Sequence, residues 1–484
     1  MIASECEPWA KTGGLGDVVD ALSRALGRAG AAGTVAIDGP LDVFLPRYRT
    51  VEVPAGHAAA TVRVPDPTSA DGARDVDVIG LDGDGYRLRL VDLPAAFDRD
   101  GYYGTTSGDH ADNAWRFGML CRTALETLRV EARPVDVVHV HDWQGAAAVL
   151  YRDAWYWGDF TLGRTAFVLT IHNPAYHGWT HRPDVWTLGL PGGYGDAYGL
   201  DLLRTAIEHA DMVNTVSPTF AREVTTPQMG MGLDWALAGR GDRFVGILNG
   251  IDQVMWNPAT DAAIAARYAP AAMDGKSACR AALARELGFD PASGGPIAGA
   301  VGRLDPQKGF DIIADAAGRI VASGARLVVL GSGDPMIAAR LREVAATAPD
   351  RMAVRETFDR DLARRIYAGS DLFLMPSRFE PSGQSQMIAM RYGTPPVVRA
   401  TGGLADSVVD ADAAPHAGTG WTFVDATATA LVGAVDRAIA AFTDPDRSRW
   451  DEVVARGMSR DWSWEAGPVG GYVEMYTRAL AARR

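Results

Sequence analysis

The segment from Met375 to Asp410 constrains the fold more than any other part of this chain. It reads MPSRFEPSGQSQMIAMRYGTPPVVRATGGLADSVVD. The pattern predicts the end of a strand, a loop, an amphipathic helix over about 384–392, a short buried strand over 396–399 and then another helix. Strands that alternate with helices in this way predict right-handed βαβ crossovers and a parallel sheet.

Polar and glycine residues follow both of these strands. Glu380 lies in the first loop, and Thr401, Gly402 and Gly403 open the helix after the second strand. Ligands bind at the carboxyl edge of open parallel sheets, where glycines at a helix N-terminus let backbone N–H groups approach a phosphate. Each signal is weak alone, because a loop glutamate is usually solvated and a Gly-Gly pair is usually a tight connection. Their combination predicts a phosphosugar site.

Lysine is rare in the chain, with three lysines among 47 lysines and arginines. Lys11 and Lys308 both fall in glycine-containing loops at predicted strand ends. Where arginine is favoured, a retained lysine indicates a need for a compact ammonium, with chance survival as the alternative. In the loop KTGG, the ammonium beside Gly13 and Gly14 suits a diphosphate or a developing negative charge. Lys276 lies at an ordinary helix start, and we expect its retention to be incidental.

The alternation of strands and helices runs through both halves of the chain. Predicted strands cover 135–140, 167–170 and 212–216 in the first half, and 296–302, 326–331, 354–358 and 371–376 in the second. The pattern weakens over 259–272, which places a domain boundary near residue 250. We therefore predict one domain over 1–250, a second over 251–458 and a terminal helical segment over 459–484.

Histidines mark the ends of two predicted strands in the first half. His141 and the pair His172-Asn173 lie at carboxyl ends, where side chains of a parallel sheet face the ligand. The turn-forming chemistry of Asn-Pro explains Asn173 equally well. His139 lies inside an apolar run, and we expect it to be a hydrogen-bonded core residue.

Composition limits the classes of function. The chain has 484 residues, enough for two or three domains, and it is 47% hydrophobic and 22% charged. No window has the run of about 18 apolar residues that a membrane span needs, and no signal peptide is visible, which favours the cytoplasm. Cys6, Cys121 and Cys279 are widely spaced, as in proteins with reduced thiols. A net charge of −13 argues against nucleic acid and anionic membranes, whereas a neutral polymer is not repelled.

Several motifs resemble those of one family. RFEPSGQSQ followed by MRYGTPPVVRATGGLADSV, together with KTGGLGDV, HDW and GRLDPQKG, are similar to segments of the bacterial glycogen synthase and plant starch synthase family. The likeness covers nearly the whole chain. It implies a GT-B fold, which is an α/β architecture of two Rossmann-like domains that face each other across a cleft, with a C-terminal helix crossing back to the first domain. It also implies retaining transfer of glucose from ADP-glucose to the non-reducing end of an α-1,4-glucan such as glycogen.

The resemblance assigns roles to individual residues. It implies that two cations grip the diphosphate while Glu380 orients the donor sugar and stabilises its positive charge, so that no metal and no cofactor are needed. Catalytic roles fall to Glu380, His141, Arg303 and Lys308. Donor and nucleotide contacts fall to Lys11, Gly13, Gly14, Asn249, Phe358, Thr401, Gly402 and Gly403. Sugar and acceptor contacts fall to Tyr103, Asp112, His172, Asn173 and Tyr176.

Several positions differ from the pattern of this family or of related enzymes. The family carries several more apolar residues before this point, which complete the first strand of the sheet, so either translation starts upstream of Met1 or a central strand is clipped. Phe358 stands where relatives often have Tyr, which keeps stacking on the nucleobase and loses a hydroxyl contact. Ile388 stands where other retaining GT-B enzymes carry a second glutamate, which favours the glycogen synthase branch.

Other functions stay open at this point. UDP-glucose as donor, a small sugar or phosphate as acceptor, and a non-catalytic glucan-binding protein of the same fold are each compatible with the motifs. Arg303 and Lys308 also suit surface ion pairs. A phosphorylase is less compatible, because it needs a lysine for pyridoxal phosphate and the three lysines offer no good candidate. Retention of all the implied charged groups together argues against a non-catalytic protein. The sequence leaves the oligomeric state open.

Overall fold

The structure is a computed structural model that describes residues 1–54, 56–289 and 294–483. The chain forms two compact units. Unit 1 comprises Met1–Val216, Ala221–Ile247 and Trp464–Arg484, and unit 2 comprises Ser217–Phe220 and Leu248–Ser463. The predicted boundary near residue 250 lies beside the junction at Leu248. We did not predict that the short segment Ser217–Phe220 belongs to unit 2.

Unit 1 contains two four-stranded sheets and two short ribbons. Its strands are β1 (Leu41–Pro46), β2 (Ala59–Pro65), β3 (Ala73–Asp82), β4 (Tyr86–Asp92), β5 (Gly104–Thr105), β6 (Gly108–Asp109), β7 (Val137–His141), β8 (Ala166–Ile171), β9 (Trp179–His181), β10 (Gly199–Asp201), β11 (Met212–Thr215) and β12 (Phe244–Gly246). One sheet has the order β12-β11-β8-β7 and is parallel throughout. The other has the order β1-β4-β3-β2, in which only the β1–β4 pair is parallel.

The first residues of the chain connect these two sheets. Ile2 forms parallel bridges to Phe44 of β1 and to Val140 of β7. The N–H of Phe44 donates to the carbonyl of Met1 at 2.8 Å. The short first strand that we expected is therefore a bridge of a few residues at the centre of unit 1.

Helices flank the strands of unit 1. The first helices of the chain are α1 (Gly14–Ala31), α2 (Pro94–Phe97), α3 (Asn113–Val130), α4 (Asp142–Tyr151), α5 (Leu202–His209), α6 (Pro218–Glu223) and α7 (Asp234–Ala238). Val18, Leu22 and Leu26 of α1 are buried, as their spacing predicts. Helix α1 ends at Ala31, one residue after Gly30. Helix α4 begins directly after His141, so that the end of β7 and the start of α4 present adjacent side chains.

Unit 2 contains a six-stranded parallel sheet covered by helices. Its strands are β13 (Ile297–Val301), β14 (Arg326–Leu330), β15 (Met352–Arg355), β16 (Leu372–Met375), β17 (Pro396–Arg399) and β18 (Trp421–Phe423). Its helices are α8 (Asp274–Leu287), α9 (Phe310–Ala322), α10 (Pro335–Thr347), α11 (Arg360–Gly369), α12 (Ser385–Arg391), α13 (Gly402–Ser407), α14 (Ala428–Thr443) and α15 (Ser448–Ser459). The prediction of a strand over 354–358 was wrong in its bounds, because β15 ends at Arg355.

The order of the strands in unit 2 creates a switch point. The sheet has the order β15-β14-β13-β16-β17-β18, and each neighbouring pair is parallel. The chain moves outward from β13 to β15 and then returns to place β16 on the other side of β13. In an open parallel sheet, such a point leaves a crevice between the loops that follow the two central strands. These loops contain Lys308 and Glu380.

The last helix, α16 (Pro468–Arg483), belongs to unit 1 although it follows unit 2 in the sequence. Tyr472 is buried in one apolar cluster with Val18 of α1. The hydroxyl of Tyr476 lies 2.9 Å from His139 Nδ1, and this histidine is buried, as we expected of a core residue. The chain therefore returns to unit 1, as the resemblance implies.

Lys276 in α8 is a structural residue. Its ammonium donates to the carbonyl oxygens of Tyr367 at 3.3 Å and Tyr392 at 2.9 Å, and to the Thr394 hydroxyl at 2.6 Å. Burial lowers the pKa of Lys276 to about 7, while three oxygen acceptors favour the charged form. The expectation that its retention is incidental was wrong, because its acceptors come from segments about a hundred residues away in the sequence.

We expect the variant Lys276→Met to lower the free energy of unfolding by about 1–3 kcal/mol, since buried acceptors lose their donor. The midpoint of urea unfolding measures this change. Arg285→Met, on the exposed side of the same helix, is the matched control and should change stability by less than about 0.5 kcal/mol. Equal midpoints for the two variants would contradict the structural role of Lys276.

Candidate functional site

Lys308 and Glu380 form an ion pair at the switch point of unit 2. Glu380 is 4% exposed, and the Lys308 ammonium lies 2.9 and 2.7 Å from its two carboxylate oxygens. The hydroxyl of Ser377 donates to the same carboxylate at 3.1 Å. An ammonium has three N–H donors, so two bonds to Glu380 leave one for another acceptor. The Lys308 side chain is 29% exposed, which leaves it accessible to a ligand.

Backbone geometry fixes the loop that carries Lys308. Gly309 has a φ of +74°, and a Cβ there would lie 2.2 Å from the carbonyl oxygen of Pro376. Glycine is therefore required for the loop after β13 to approach the loop after β16. The carboxylate of Asp305 accepts the N–H of Lys308 at 2.8 Å. Both contacts hold Lys308 beside Glu380.

The turn Thr401-Gly402-Gly403 packs against the backbone of Glu380. The N–H of Gly403 donates to the carbonyl oxygens of Glu380 at 3.1 Å and Pro381 at 3.2 Å. Gly402 has a φ of +45°, and a Cβ there would lie 2.0 Å from the Glu380 carbonyl oxygen. We predicted that both glycines offer N–H groups to a phosphate. The loops approach so closely that the N–H of Gly403 binds the protein backbone in this structure, and its contact with a phosphate stays a prediction.

The other predicted donor residues of unit 2 differ in exposure. The Arg303 side chain is 66% exposed and lies 3.5 Å from Asp305, and Phe358 is 84% exposed in the loop after β15. Both residues therefore present a cation or an aromatic face to solvent. Thr401 is buried directly before α13. Asn249 is buried too, and its Oδ1 has no hydrogen-bond partner within the described part of the chain.

In unit 1, His141 ends β7 and His172 follows the neighbouring strand β8. The Nδ1 atom of His141 lies 3.0 Å from Nε2 of His172, so one ring donates and the other accepts. His141 is fully buried, and its Nε2 has no hydrogen-bond partner among the residues that the structure describes. Burial holds the pKa of His141 well below its usual value and lowers that of His172 to about 3. Both rings are therefore neutral near pH 7.

Asp142 organises the loop beside this histidine pair. It has a φ of +51°, a left-handed conformation that is uncommon for a residue other than glycine. Its carboxylate accepts the N–H groups of His172 at 2.7 Å and Asn173 at 3.3 Å, and burial raises its pKa to about 7. Such backbone strain persists where surrounding contacts hold it, often at functional sites. We did not predict a role for Asp142, although its position directly after His141 indicated one.

The loop KTGG wraps around a carboxylate of unit 1. The N–H groups of Thr12 and Gly13 donate to one oxygen of Glu5 at 2.7 and 3.1 Å. We predicted that this loop offers its backbone to a diphosphate. Glu5 accepts the N–H of Gly13 in this structure, and the contact of Gly13 with a diphosphate stays a prediction. Glu5 itself was not predicted to have a role.

The remaining groups of this loop have other surroundings. Lys11 pairs with Asp17 at 2.5 Å and with Glu7 at 3.3 Å, so its charge is balanced within the loop region. Gly14 begins α1, and a Cβ there would meet no heavy atom within 4 Å. The space in front of Gly14 is therefore open at the start of α1.

Two residues predicted at the acceptor are bound to other side chains. The hydroxyl of Tyr103 donates to Glu5 at 2.6 Å, and Asp112 pairs with Arg99 at 2.7 Å. Tyr103 is thereby connected to the KTGG loop through Glu5. Asp112 instead forms an ion pair with Arg99, so it does not share the Glu5 contact of Tyr103.

The loop after β8 carries two further predicted acceptor residues. Asn173 Oδ1 accepts the N–H of Ala175 at 3.0 Å, which is the turn chemistry that the sequence left open. Tyr176 follows in the same loop and is 60% exposed. The turn thus accounts for Asn173, while Tyr176 presents its ring to solvent.

Two kinds of feature are absent from residues 1–54, 56–289 and 294–483. No group of three or more His, Cys, Asp or Glu side chains there is arranged to hold a metal ion. In those same ranges, every helix is too short or too polar to cross a membrane.

Comparison with known proteins extends the likeness over both units. A family model described as starch synthase catalytic domain matches residues 1–239, and one described as glycosyl transferases group 1 matches residues 295–441. The solved catalytic domain of Starch Synthase IV from Arabidopsis thaliana, bound to ADP and acarbose, is 32% identical to this chain with a TM-score of 0.87. The match covers 99% of this chain and 98% of that chain. Sucrose-phosphate synthase from Thermosynechococcus elongatus shares the fold, with 19% identity, a TM-score of 0.58 and coverage of 99% and 98%.

The two parallel-sheet units and these matches define a GT-B glycosyltransferase. Glycogen synthase 2 of Geobacter sulfurreducens is 42% identical over 100% of this chain and 99% of its own length. Glycogen synthase of Anaeromyxobacter sp. is also 42% identical, with the same coverage of 100% and 99%. The chain belongs to the glycogen synthase and starch synthase family.

The neutral histidine pair predicts a pH dependence of stability. The folded-state pKa values lie below 6.5, so the unfolded chain takes up protons between pH 6.5 and about 3 while the folded chain does not. The free energy of unfolding therefore falls on acidification, by about 1 kcal/mol per pH unit for each ring. Urea midpoints at pH 7.5, 6.5 and 5.5 should fall less steeply for His172→Gln than for the wild type.

The exposed His57 is the control for this experiment. His57→Gln should leave the wild-type slope unchanged. If His172→Gln and the wild type have the same slope, the pair is not held neutral by the fold.

Proposed function

We propose that this glycosyltransferase is a glycogen synthase, which transfers glucose from ADP-glucose to the non-reducing end of an α-1,4-glucan with retention of configuration. The observation that carries the proposal is the Lys308–Glu380 pair at the switch point of unit 2. The pair places a cation that can bind a diphosphate beside a buried carboxylate that can stabilise a sugar. The relatives named glycogen synthase support the assignment.

The chemistry requires two kinds of charge stabilisation. Negative charge develops on the departing diphosphate, and preorganised cations stabilise it most effectively where water is scarce. Arg303 is exposed for this role, and Lys308 has an N–H donor beyond the two that bind Glu380. Positive charge develops at the anomeric carbon, where the Glu380 carboxylate stabilises it. We assign Glu380 no covalent bond to the sugar.

His141 serves the sugar as a neutral group. Its ring is fully buried at the end of β7, and its Nε2 is the ring atom left over from the bond to His172. A neutral imidazole can accept or donate one hydrogen bond to a hydroxyl without adding charge beside a developing cation. Its low pKa keeps that state throughout the neutral range.

The same proposal includes ADP as the nucleotide portion of the donor. The starch synthase catalytic domain that matches this chain was solved with ADP and acarbose. Exposed Phe358 supplies a ring on which a nucleobase can stack. UDP-glucose remains the competing donor, and direct comparison of the two donors decides between them.

We further propose that the reaction needs no metal or cofactor and takes place in the cytoplasm. Arg303 and Lys308 supply the positive charge that a divalent cation provides elsewhere. Cys6, Cys121 and Cys279 are all buried free thiols, which suits a reducing compartment. Turnover should therefore persist in excess EDTA, and loss of activity that Mg²⁺ restores would contradict the metal-free mechanism.

The test of the function is release of ADP from ADP-glucose in the presence of glycogen, together with lengthening of the glucan chains. We expect Glu380→Gln to lower kcat by about 100-fold or more, because a stabilising charge is lost at the reacting centre. Arg303→Ala should lower kcat/KM by about 10-fold or more. Chain lengths are measured after enzymatic debranching.

Glu286 and Arg365 provide matched controls on the surface of unit 2. They form an exposed ion pair at 2.9 Å between α8 and α11. Glu286→Gln and Arg365→Ala should keep wild-type turnover. No nucleotide release by the wild type with either ADP-glucose or UDP-glucose would reject the proposed function, and unchanged turnover in Glu380→Gln would reject the site.

A further inference from the structure

We propose that Glu5 is a positioning residue, whose buried carboxylate joins the KTGG loop to Tyr103 and so holds donor-side and acceptor-side groups in one arrangement. The inference rests on the proposed function for the meaning of those two sides. Its structural part rests on contacts within unit 1 alone. Glu5 lies far from Tyr103 in the sequence, and no motif marks Glu5.

Four donors converge on Glu5. The N–H groups of Thr12 and Gly13 bind Oε2 at 2.7 and 3.1 Å. The hydroxyls of Thr12 and Tyr103 bind Oε1, each at 2.6 Å. Glu5 is 3% exposed, so the carboxylate has two donors on each oxygen and almost no contact with solvent. Such a fully bonded buried group fixes its partners strongly.

The lysine of the loop is not the partner of this carboxylate. Lys11 pairs instead with Asp17 and Glu7. Glu5 therefore uses neutral donors, and it occupies the backbone N–H groups that otherwise suit a phosphate. Glu5 thus holds the loop in shape. Lys11 and the open start of α1 at Gly14 remain as the groups that can contact the nucleotide-sugar donor.

The Tyr103 hydroxyl makes the connection to the acceptor side. Burial is the main reason that the pKa of Tyr103 lies well above its usual value, and the nearby Glu5 raises it further. The hydroxyl therefore stays protonated and donates to Glu5. The same hydroxyl lies 2.9 Å from Ser4 Oγ, where either oxygen can donate. This second contact gives the tyrosine an alternative acceptor when Glu5 is changed.

The variants Glu5→Gln and Glu5→Met separate positioning from a direct electrostatic role. A glutamine can keep its oxygen on the N–H groups of Thr12 and Gly13 and turn its NH₂ toward the two hydroxyls, which rotate to accept. The Tyr103 hydrogen then points to Ser4. A methionine has a similar length but cannot accept from the backbone. Positioning therefore predicts that glutamine rescues what methionine loses.

We expect Glu5→Met to raise KM for both ADP-glucose and glycogen by about 10-fold or more. Glu5→Gln should stay within about 3-fold of the wild type. Equal losses in the two variants would show that the charge of Glu5 matters and would overturn the positioning role. Wild-type KM values in Glu5→Met would overturn it as well.

Amide hydrogen exchange at Thr12 and Gly13 tests the same inference without any substrate. These N–H groups should be protected in the wild type and in Glu5→Gln, and should exchange at least about 10-fold faster in Glu5→Met. Unchanged exchange in Glu5→Met would overturn the inference even if the enzyme is a glycogen synthase. The protection pattern stands if the enzyme proves to use other substrates, so failure of the proposed function is distinguishable.

Asp66 provides a control for general loss of stability in unit 1. Its buried carboxylate also binds several donors, among them Thr68, Arg74 and Trp115. Asp66→Asn should lower the thermal midpoint while leaving both KM values and the exchange at Thr12 and Gly13 near wild type. If Asp66→Asn changes them as Glu5→Met does, the effects are those of destabilisation and the positioning role is wrong.

Discussion

A carboxylate that is almost closed to water needs a cation, several donors, or both, and Glu380 has both. Lys308 binds its two oxygens and Ser377 adds a hydroxyl. Gly309 and Gly403 let the surrounding backbones approach closely enough to keep these groups together. The parallel sheet makes this possible, because its strand order brings the loops after β13 and β16 side by side. Removing one partner of such a buried pair costs more than the pair itself contributes, since the other charge is left uncompensated.

Unit 1 stabilises its polar groups in a different way. His141 and His172 are neutral and share a hydrogen bond, and Glu5 is held by N–H and O–H dipoles. Asp142 accepts two backbone N–H groups while burial raises its pKa. The buried polar groups of unit 1 are thus held by hydrogen bonds, whereas Glu380 of unit 2 is held by a permanent charge.

Local pattern was enough to predict most of the fold around this chemistry. The strand over 396–399 and the helix over about 384–392 were predicted at the positions where they occur, because apolar periodicity and glycine breaks act over short distances. The roles of Lys276 and Glu5 were not predicted, since the acceptors of Lys276 and the Tyr103 partner of Glu5 come from distant segments. The same reason applies to Gly403, whose N–H binds a neighbouring loop. For Gly403, motif spacing indicated a nearby site without indicating which contacts its N–H makes.

Titration of ADP into the purified protein by calorimetry tests the central claim that Lys308, held beside Glu380, binds the diphosphate of the donor. We expect Lys308→Gln to bind ADP at least about 10-fold more weakly than the wild type, because a charge-assisted donor is lost. Glu380→Gln should bind ADP as tightly as the wild type or more tightly, since it frees Lys308 from its carboxylate. Circular dichroism confirms that both variants are folded. Wild-type affinity for ADP in a folded Lys308→Gln protein would contradict the account.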